Sequence, residues 1–436
     1  MGEVAAQVVL ESCLVKPSSE TPRKALRPSP LDILKANRGH TPLVQFYRPS
    51  GDATDFFDVA RLKDALAKAL VHFYPFAGRI DVDPEDGTLQ INCNGEGALF
   101  LVVHNSELTV DDFSDFKPSP QLRRLLVPRI DTPEDARIVC NVQVTFLKCG
   151  GVAIGTAFHH VAMDGNGAFH FFQTWSALCR DGDKAVVDAP CHDRSLLSAR
   201  NPPVVHPDAL SVFCPTFKLT EPSGPVVTEV FVLDKDQVMA LKRVCGGVST
   251  FSALSAHVWR CMCIARRLSP DSTARLVFPA NVRRSTKPPL PDRYFGNAVI
   301  ILNVAGKAQD IAAGDLASVA GRIRSVVGRM DDELVRSAVD YLELAKSDTK
   351  PAARGTLPVT DLRVVSWLGM PMYDADFAWG KPVAVLRAES NRGGFVHLMD
   401  NAQGKGGVRL IVCVEAAILN DFERLLYDNL LDSTVS

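Results

Sequence analysis

The sequence VAIGTAFHHVAMDG, residues 152–165, decides how this chain of 436 residues is organised. Its first seven residues are apolar, small or β-branched, which is typical of a buried strand. Residues 168–179 then carry Phe171, Phe172 and Trp175 at helical spacing, which predicts a helix with one apolar face. The histidine pair therefore lies where a core strand breaks into a loop before a helix. Such a loop presents a side chain on a rigid base and leaves it accessible.

His160, the second histidine of the pair, is the candidate for acid–base chemistry. Imidazole has the side-chain pKa nearest neutrality, so it is the usual proton acceptor in proteins at neutral pH. Asp164, four residues further on, either holds one tautomer of the ring or turns away and fixes the loop. Two other interpretations stay open. One is a purely structural histidine at a strand end, and the other is a zinc site, although no third ligand stands at a recognisable spacing.

Four segments together resemble one known family. Residues 160–165, HVAMDG, resemble the HxxxDG motif of the plant acyl-CoA-dependent acyltransferases called the BAHD superfamily. Residues 376–380, DFAWG, resemble its second signature, DFGWG, with Ala378 in place of the middle glycine. Residues 74–79, YPFAGR, are similar to the family's YPLAGR segment, and residues 294–297, YFGN, match the YFGN segment of its hydroxycinnamoyl transferases. The segments follow the family order over nearly the whole chain.

This resemblance implies an α/β fold of two chloramphenicol-acetyltransferase-like αβ domains with mixed sheets, joined by a long crossover linker. We place the N-terminal domain, which carries HxxxD, at residues 1–183. The C-terminal domain, which carries the DFGWG-like segment, is placed at residues 226–436. Residues 184–225 contain seven prolines that interrupt any periodic pattern, and this predicts the linker. In the second half, residues 315–344 are predicted to be helical.

The resemblance also assigns roles. His160 is the general base, and Asp164 completes the catalytic motif by pairing with Arg283 and shaping the loop. The second signature lies away from the histidine in this family, so we expect a structural turn there, built by Asp376, Trp379 and Gly380. Ala378 is harmless in that turn if its φ is negative, and costs about 1 kcal/mol or more if φ is positive.

Two further sets of contacts are expected around the thioester. Ser249 and Thr250 stand at a predicted helix N-terminus, where they either bind the CoA phosphates or simply cap the helix. The tetrahedral oxyanion needs hydrogen-bond donors, and backbone N–H groups near Gly165 or a hydroxyl near Thr41 are candidates. The sequence does not choose between these candidates.

The predicted acceptor pocket departs from the shikimate and quinate transferases of the family. Residues 40–47, HTPLVQFY, keep Thr41 of the relatives' HTPSVYFY but place Leu43 and Gln45 where those enzymes have Ser and Tyr. Gly369 in SWLGMP stands where the relatives' SWVRLP has an arginine that holds the acceptor's carboxylate. A bidentate arginine fork is hard to replace. The resemblance therefore indicates a small amine, such as a diamine or agmatine, or a neutral polyol.

The composition limits which partners and which cellular location we expect for this protein. The formal net charge of −2 and the lack of a long basic run argue against nucleic acid and anionic membranes as partners. No apolar run is long enough to span a bilayer, and the N-terminal residues lack a signal-peptide core. Eleven cysteines without a CxxC pair indicate reduced thiols. We expect a cytoplasmic monomer without metal or cofactor, in which the CoA thioester is a substrate.

The sequence therefore predicts an acyltransferase of phenylpropanoid metabolism. It would move a hydroxycinnamoyl group from CoA to a small amine, which yields a phenolamide, or to an alcohol, with His160 as base. The alternatives are a shikimate or quinate hydroxycinnamoyltransferase, a non-catalytic binder of acyl-CoA, a condensation domain that accepts acyl groups from carrier proteins, and a His/Asp metallohydrolase.

Overall fold

The computed structural model describes residues 7–49, 56–113, 115–214, 219–222, 224–345, 355–390, 392–401 and 406–431, without the side chains of 429–431. The strands are β1 Gln7–Val15, β2 Lys24–Leu26, β3 His40–Tyr47, β4 Arg79–Val82, β5 Leu89–Cys93, β6 Ala98–Asn105, β7 Cys140–Leu147, β8 Val152–His159, β9 Val226–Leu233, β10 Thr273–Asn281, β11 Val299–Lys307, β12 Asp361–Ser366, β13 Ala384–Arg387, β14 Phe395–Asp400 and β15 Val408–Glu415.

The helices are α1 Pro30–Ala36, α2 Val59–His72, α3 Pro120–Leu126, α4 Pro133–Arg137, α5 Gly165–Asp181, α6 Lys235–Val244, α7 Thr250–Ala265, α8 Ala308–Ala313, α9 Leu316–Gly328, α10 Asp332–Leu344 and α11 Leu419–Leu431. The described residues form two compact units. Among the described residues, the first draws on those within 7–198, 290–298 and 370–389, and the second on those within 199–289, 299–369 and 390–431.

The first unit is built on a mixed six-stranded sheet of order β1-β6-β7-β8-β3-β13, beside a three-stranded sheet of order β2-β5-β4. Only the β6–β7 pair of the larger sheet is parallel. The decisive strand β8 is fully buried between β7 and β3, as its apolar sequence predicts. Gly155 is required there, because a Cβ at this position would lie 1.6 Å from the Leu126 carbonyl oxygen.

Helix α5 follows β8 after a five-residue loop, residues 160–164, which we call the histidine loop. Phe171, Phe172 and Trp175 of this helix are almost fully buried, so the predicted apolar face is the face that packs. Phe171 and Phe172 both lie with their ring centroids 5.5 Å from that of Phe158 in β8. This aromatic contact fixes the helix against the strand that precedes it, and the loop between them is consequently short and anchored at both ends.

The second unit has a mixed six-stranded sheet of order β11-β10-β12-β14-β15-β9, in which the β10–β12 and β12–β14 pairs are parallel. The predicted helix over residues 315–344 is two helices. Helix α9 ends at Gly328, and Asp331 caps the start of α10 by accepting a hydrogen bond from Leu334 N at 2.8 Å. Asp331 is a favourable N-cap, and its capping hydrogen bond starts a new helix although the apolar periodicity continues across the break.

The predicted linker contains no strand or α-helix in its described part, and residues 215–218 and 223 lie outside that part. It is nonetheless anchored in the first unit, because Cys191 forms a β-bridge with Tyr294. The chain therefore passes from the first unit to the second after Ser198. The boundaries at residues 183 and 226 stay a prediction.

The DFGWG-like segment was assigned to the C-terminal domain, and here the structure differs. Strand β13 follows this segment and pairs antiparallel with β3, with Ala384 opposite Phe46 and Arg387 opposite Leu43. Residues 370–389 therefore pack within the first unit. The difference arises because strand pairing across more than 300 residues leaves no trace in local periodicity.

Candidate active site

His160 is the first residue of the histidine loop and is held by its backbone. Its N–H donates to the Gly39 carbonyl oxygen at 2.9 Å, which continues the pairing of β8 with the chain that enters β3. Its Nδ1 atom is buried and has no hydrogen-bond partner among the described residues. The residue as a whole is partly exposed.

The surroundings of His160 keep its ring neutral. Burial lowers the pKa of the imidazole to about 3, and the positive charges of Arg38, Lys35 and Arg387 act in the same direction. At neutral pH the ring is therefore unprotonated and has a lone pair available on one nitrogen. Such a ring can accept a proton but does not hold it strongly, because the imidazolium form is destabilised by the same surroundings.

Asp164 ends the histidine loop and caps helix α5. Its Oδ1 accepts a hydrogen bond from Gly167 N at 3.2 Å, and its Oδ2 accepts one from Ala298 N at 3.0 Å. Its own N–H donates to the Gly296 carbonyl oxygen at 3.3 Å. Of the two roles open to this aspartate, these hydrogen bonds match the second, since the carboxylate fixes the loop.

Two side chains hold the carbonyl groups of the histidine loop from outside. Asn297 Nδ2 donates to the His160 carbonyl oxygen at 2.8 Å, and Arg194 Nη2 donates to that of Ala162 at 2.6 Å. Both donors also bind the fully buried carboxylate of Asp32. Asp32 and Arg194 were not predicted from the sequence. Asn297 lies in the YFGN segment, which pointed to the family but not to a role in the site.

His159 is packed rather than presented. Its ring lies edge-on to that of His40 with the centroids 5.0 Å apart, and its Nδ1 accepts a hydrogen bond from Val161 N at 3.4 Å. Burial lowers its pKa to about 3. The side chain therefore supports the loop from the buried side, and the assignment of the second histidine as the reactive one stays a prediction.

The predicted acceptor-pocket residues fall in both units. Thr41, Leu43 and Gln45 alternate along β3 and so share one face of the first unit's sheet. Gln45 is fully buried, its Oε1 lies 2.8 Å from the Tyr47 hydroxyl, and its Nε2 has no partner among the described residues. Gly369 belongs to the second unit, with φ of 71° and its N–H donating to Asp400 Oδ2 at 2.8 Å.

The DFAWG segment forms a tight turn around a carboxylate. Asp376 Oδ1 accepts hydrogen bonds from Ala378 N at 3.0 Å and Gly380 N at 3.1 Å. Trp379 is buried, with the Arg61 guanidinium 5.2 Å above its ring. Ala378 has φ of 84°, the left-handed region that favours glycine, and Gly380 has φ of 97°. The contacts of this segment hold a turn, and the alanine at its centre is strained.

The remaining predicted residues lie in the second unit. Ser249 caps α7, where its Oγ accepts a hydrogen bond from Ser252 N at 3.1 Å, and Thr250 is the first residue of that helix. The capping role is therefore present, and a role in phosphate binding stays a prediction. Arg283 is buried, and its backbone N–H donates to Asn281 Oδ1 at 3.0 Å. Its pairing with Asp164 likewise stays a prediction.

Neither a metal cluster nor a membrane-spanning helix occurs in the ranges that the structure describes. In those ranges, no three His, Cys, Asp or Glu side chains come together in a way that would hold a metal ion. Likewise, none of the helices described there is both long enough and apolar enough to cross a bilayer.

Comparison with known proteins gives the same result by sequence and by structure. A model of the Transferase family matches residues 8–428. Putrescine hydroxycinnamoyltransferase 1 of Oryza sativa subsp. japonica is 40% identical over 448 residues, which cover 97% of this chain and 99% of that protein. Shikimate O-hydroxycinnamoyltransferase of Nicotiana tabacum is 37% identical, with coverage of 96% and 99%.

Among solved structures, that of vinorine synthase matches with a TM-score of 0.75 and 26% identity and covers 98% of each chain. This match confirms the α/β fold class with mixed sheets. Taken with the four motifs, these comparisons confirm the resemblance: the chain belongs to the Transferase family, the acyl-CoA-dependent acyltransferases of the BAHD superfamily.

Proposed function

We propose that this protein transfers a hydroxycinnamoyl group from a CoA thioester to a small amine or alcohol, with Nε2 of His160 as the general base. The observation that carries the proposal is a neutral imidazole at the end of a buried strand. Its Nδ1 is enclosed and the residue is partly exposed, so in this proposal Nε2 is the nitrogen that takes the proton. The two relatives compared above are both named as hydroxycinnamoyltransferases, one with putrescine and one with shikimate in its name.

The proposed reaction has two steps. The nucleophile attacks the thioester carbonyl carbon, its proton passes to His160 Nε2, and the carbonyl oxygen becomes the alkoxide of a tetrahedral intermediate. The alkoxide then re-forms the carbonyl, the carbon–sulfur bond breaks, and the imidazolium returns the proton to the CoA thiolate. A ring with a pKa of about 3 gives up its proton readily, because a thiol has a pKa near 8.5.

The low pKa of His160 favours an amine as the acceptor. When an amine attacks, its nitrogen becomes positively charged in the intermediate, and even a weak base removes a proton from it. An alcohol has to lose its proton as it attacks, which asks more of the base. The absence of an arginine at Gly369 and the apolar Leu43 also argue against the carboxylate pocket of the shikimate transferases.

One observation supports a second candidate. Lys35, Arg38 and Arg387 lie close enough to His160 to lower its pKa, so each contributes a positive potential at the imidazole. A positive potential repels a diamine and attracts an acceptor that carries a carboxylate. The second candidate is therefore transfer to shikimate, quinate or another carboxylate-bearing acceptor, in which these cations act instead of an arginine at position 369.

The finer features of the function also belong to the proposal. The CoA phosphates would meet the N-terminus of α7 at Ser249 and Thr250, where backbone N–H groups and the helix dipole favour anions. CoA would be a substrate, and no cofactor would be needed. We propose a cytoplasmic monomer, supported by the net charge of −2 and by eleven cysteines that are all free thiols in the structure.

An acceptor screen tests the function directly. The protein is incubated with p-coumaroyl-CoA and, in separate reactions, putrescine, agmatine, glycerol and shikimate, and products are identified by mass spectrometry. We expect amides of putrescine or agmatine to form fastest. Turnover that is efficient only with shikimate would overturn the amine proposal in favour of the second candidate. No acyl transfer to any acceptor would reduce the protein to a binder of acyl-CoA.

His160→Ala separates an enzyme from such a binder. We expect loss of turnover with unchanged affinity for p-coumaroyl-CoA by calorimetry, because the imidazole removes a proton and does not hold the thioester. His257→Asn is the matched control, since His257 is a buried histidine of the second unit whose Nε2 lies 2.9 Å from the Leu426 carbonyl oxygen. Undiminished turnover by His160→Ala would refute the proposed base.

A further inference from the structure

A buried ion pair lies behind the histidine loop, and no step of the proposed reaction uses it. Arg194 and Asp32 are 5% and 0% exposed in their side chains, with Nη1 3.1 Å from Oδ1. The same Oδ1 accepts hydrogen bonds from the backbone and side-chain nitrogens of Asn297, both at 2.8 Å. We call Asp32, Arg194 and Asn297 the carbonyl clamp.

Asp32 is the fixed point of the carbonyl clamp. It is also the third residue of helix α1, where its Oδ2 accepts hydrogen bonds from Ser29 N at 2.9 Å and Ser29 Oγ at 2.8 Å. The carboxylate thus receives donors from the start of α1 on one oxygen and from Asn297 on the other, while Arg194 lies within reach of both. A carboxylate with all of its lone pairs used is rigid, and so are the donors that it orients.

The free ends of the clamp reach the histidine loop, and the Arg194 guanidinium also lies over the Tyr294 ring. Arg194 Nη2 donates to the Ala162 carbonyl oxygen, and Asn297 Nδ2 to the His160 carbonyl oxygen. These two carbonyls flank the peptide units that set the direction of the imidazole. Since His160 Nδ1 has no partner of its own, the ring depends on its backbone for orientation.

The space for the clamp is made by one glycine. A Cβ at Gly296 would lie 1.8 Å from Arg194 Nη1 and 2.8 Å from its Cζ, so any larger residue would displace the guanidinium. Gly296 is not at positive φ. Glycine is therefore required at this position because the Arg194 side chain lies against it, and not because of the backbone conformation.

We infer that the carbonyl clamp positions His160 for catalysis. Arg194, from the predicted crossover linker, is then a positioning residue for the transfer reaction. This inference rests on the proposed function. Its physical basis is that a misplacement of about 1 Å at a reacting group costs roughly 100-fold in rate. The clamp orients the base without touching a substrate, so its loss lowers kcat and leaves substrate binding in place.

Two variants break the clamp in different ways. Arg194→Met removes the charge and the donor at nearly constant length, and Gly296→Ala keeps every charge but pushes the guanidinium aside. We expect kcat to fall roughly 10- to 100-fold in both, with KM for acyl-CoA and acceptor close to wild type. Asn297→Ala, which removes only a neutral donor, is expected to lower kcat in the same direction.

Two matched controls exclude a general loss of structure. Arg266 and Glu415 form a similarly buried ion pair in the second unit at 3.1 Å, with 3% and 12% of their side chains exposed. Arg266→Met is expected to lower stability while kcat stays near wild type. Gly321→Ala in α9, where a Cβ meets nothing within 4 Å, is the control for Gly296→Ala and is expected to leave kcat unchanged.

A double-mutant cycle tests whether the clamp acts through His160. Arg194→Met placed on His160→Ala is expected to cause no further loss of residual rate, since the group being positioned is already absent. Histidine NMR gives a readout independent of activity. In Gly296→Ala the pKa of His160 is expected to rise from about 3 towards 6.5 as the loop loosens and water reaches the ring.

The outcomes distinguish the clamp from the proposed function. If His160→Ala is inactive and Gly296→Ala and Asn297→Ala keep wild-type kcat, the clamp inference is wrong and the function stands. If His160→Ala keeps its activity, the proposed base is wrong, and the clamp inference, which rests on that base, is wrong with it. If Arg194→Met does not fold, Gly296→Ala and Asn297→Ala carry the test. Equal losses of rate on the wild-type and His160→Ala backgrounds would also overturn the inference.

Discussion

The histidine loop and the DFAWG turn are the two signature segments of the first unit. Each is held by an aspartate carboxylate that accepts backbone hydrogen bonds, but the donors come from different distances along the chain. In the histidine loop, the Asp164 carboxylate accepts backbone hydrogen bonds from Gly167 and from the distant Ala298. In the DFAWG turn, Asp376 accepts two backbone hydrogen bonds from residues only two and four positions away. The loop is buried and its carboxylate binds a remote segment, whereas these two hydrogen bonds of the Asp376 carboxylate stay within its own turn. A motif's residues thus do not reveal how far its support extends.

The largest contrast is expected from removing the two carboxylates. Asp164→Ala leaves buried N–H groups unsatisfied at about 1–3 kcal/mol each and releases the loop, so we expect kcat to fall roughly 100-fold. In Asp376→Ala the N–H groups of Ala378 and Gly380 can bind water instead, because both residues are exposed. The free energy of unfolding should therefore fall by less than about 1 kcal/mol. Urea denaturation and steady-state kinetics measure both effects. Equal losses of kcat would erase the distinction between loop and turn.

Acid stability sharpens the comparison, because the histidines with lowered pKa values concentrate in the unit that holds the loop. Burial lowers the pKa to about 3 for His159 and His160 and to about 4 for His170 and His192. Below pH 6.5 the unfolded chain therefore binds protons that the folded chain does not. Stability falls as pH decreases, by up to about 1.4 kcal/mol per pH unit for each histidine.

The measurement is urea denaturation at pH 7, 6 and 5, where carboxylates contribute little. His192→Asn is expected to reduce the slope of stability against pH by up to one proton. A free energy of unfolding that stays constant from pH 7 to pH 5 would show that these rings are solvated in the native protein.

The smallest effect is expected at the centre of the turn. Ala378 is exposed and has φ of 84°, so Ala378→Gly relieves backbone strain and should raise stability by about 0.5–1 kcal/mol. Gly380→Ala, at φ of 97°, is the reciprocal change and should lower it by at least as much. Thermal unfolding of the two variants beside wild type shows the signs. A loss of stability in Ala378→Gly would mean that the alanine is not strained.

The local part of this structure was predictable from sequence. The β8 strand, the loop and α5 followed from apolar spacing, and the role of Ser249 as a helix cap followed from its position before α7. The clamp did not follow, because Asp32, Arg194 and Asn297 are separated by more than 100 residues from one another. Nothing in a local pattern reports which distant side chains share a carboxylate. The break before α10 had a local signal, Asp331, which the longer periodicity masked.

Strand β13 has a consequence for any attempt to study the first unit in isolation. A truncated protein that stops at residue 183 would lack this strand, and β3 would become a free sheet edge. An uncovered edge of that kind invites intermolecular pairing and precipitation. The same truncation would discard Arg194 and Asn297. The first unit therefore cannot be expressed as an N-terminal fragment. It can complete its folding only after nearly the whole chain has been synthesised.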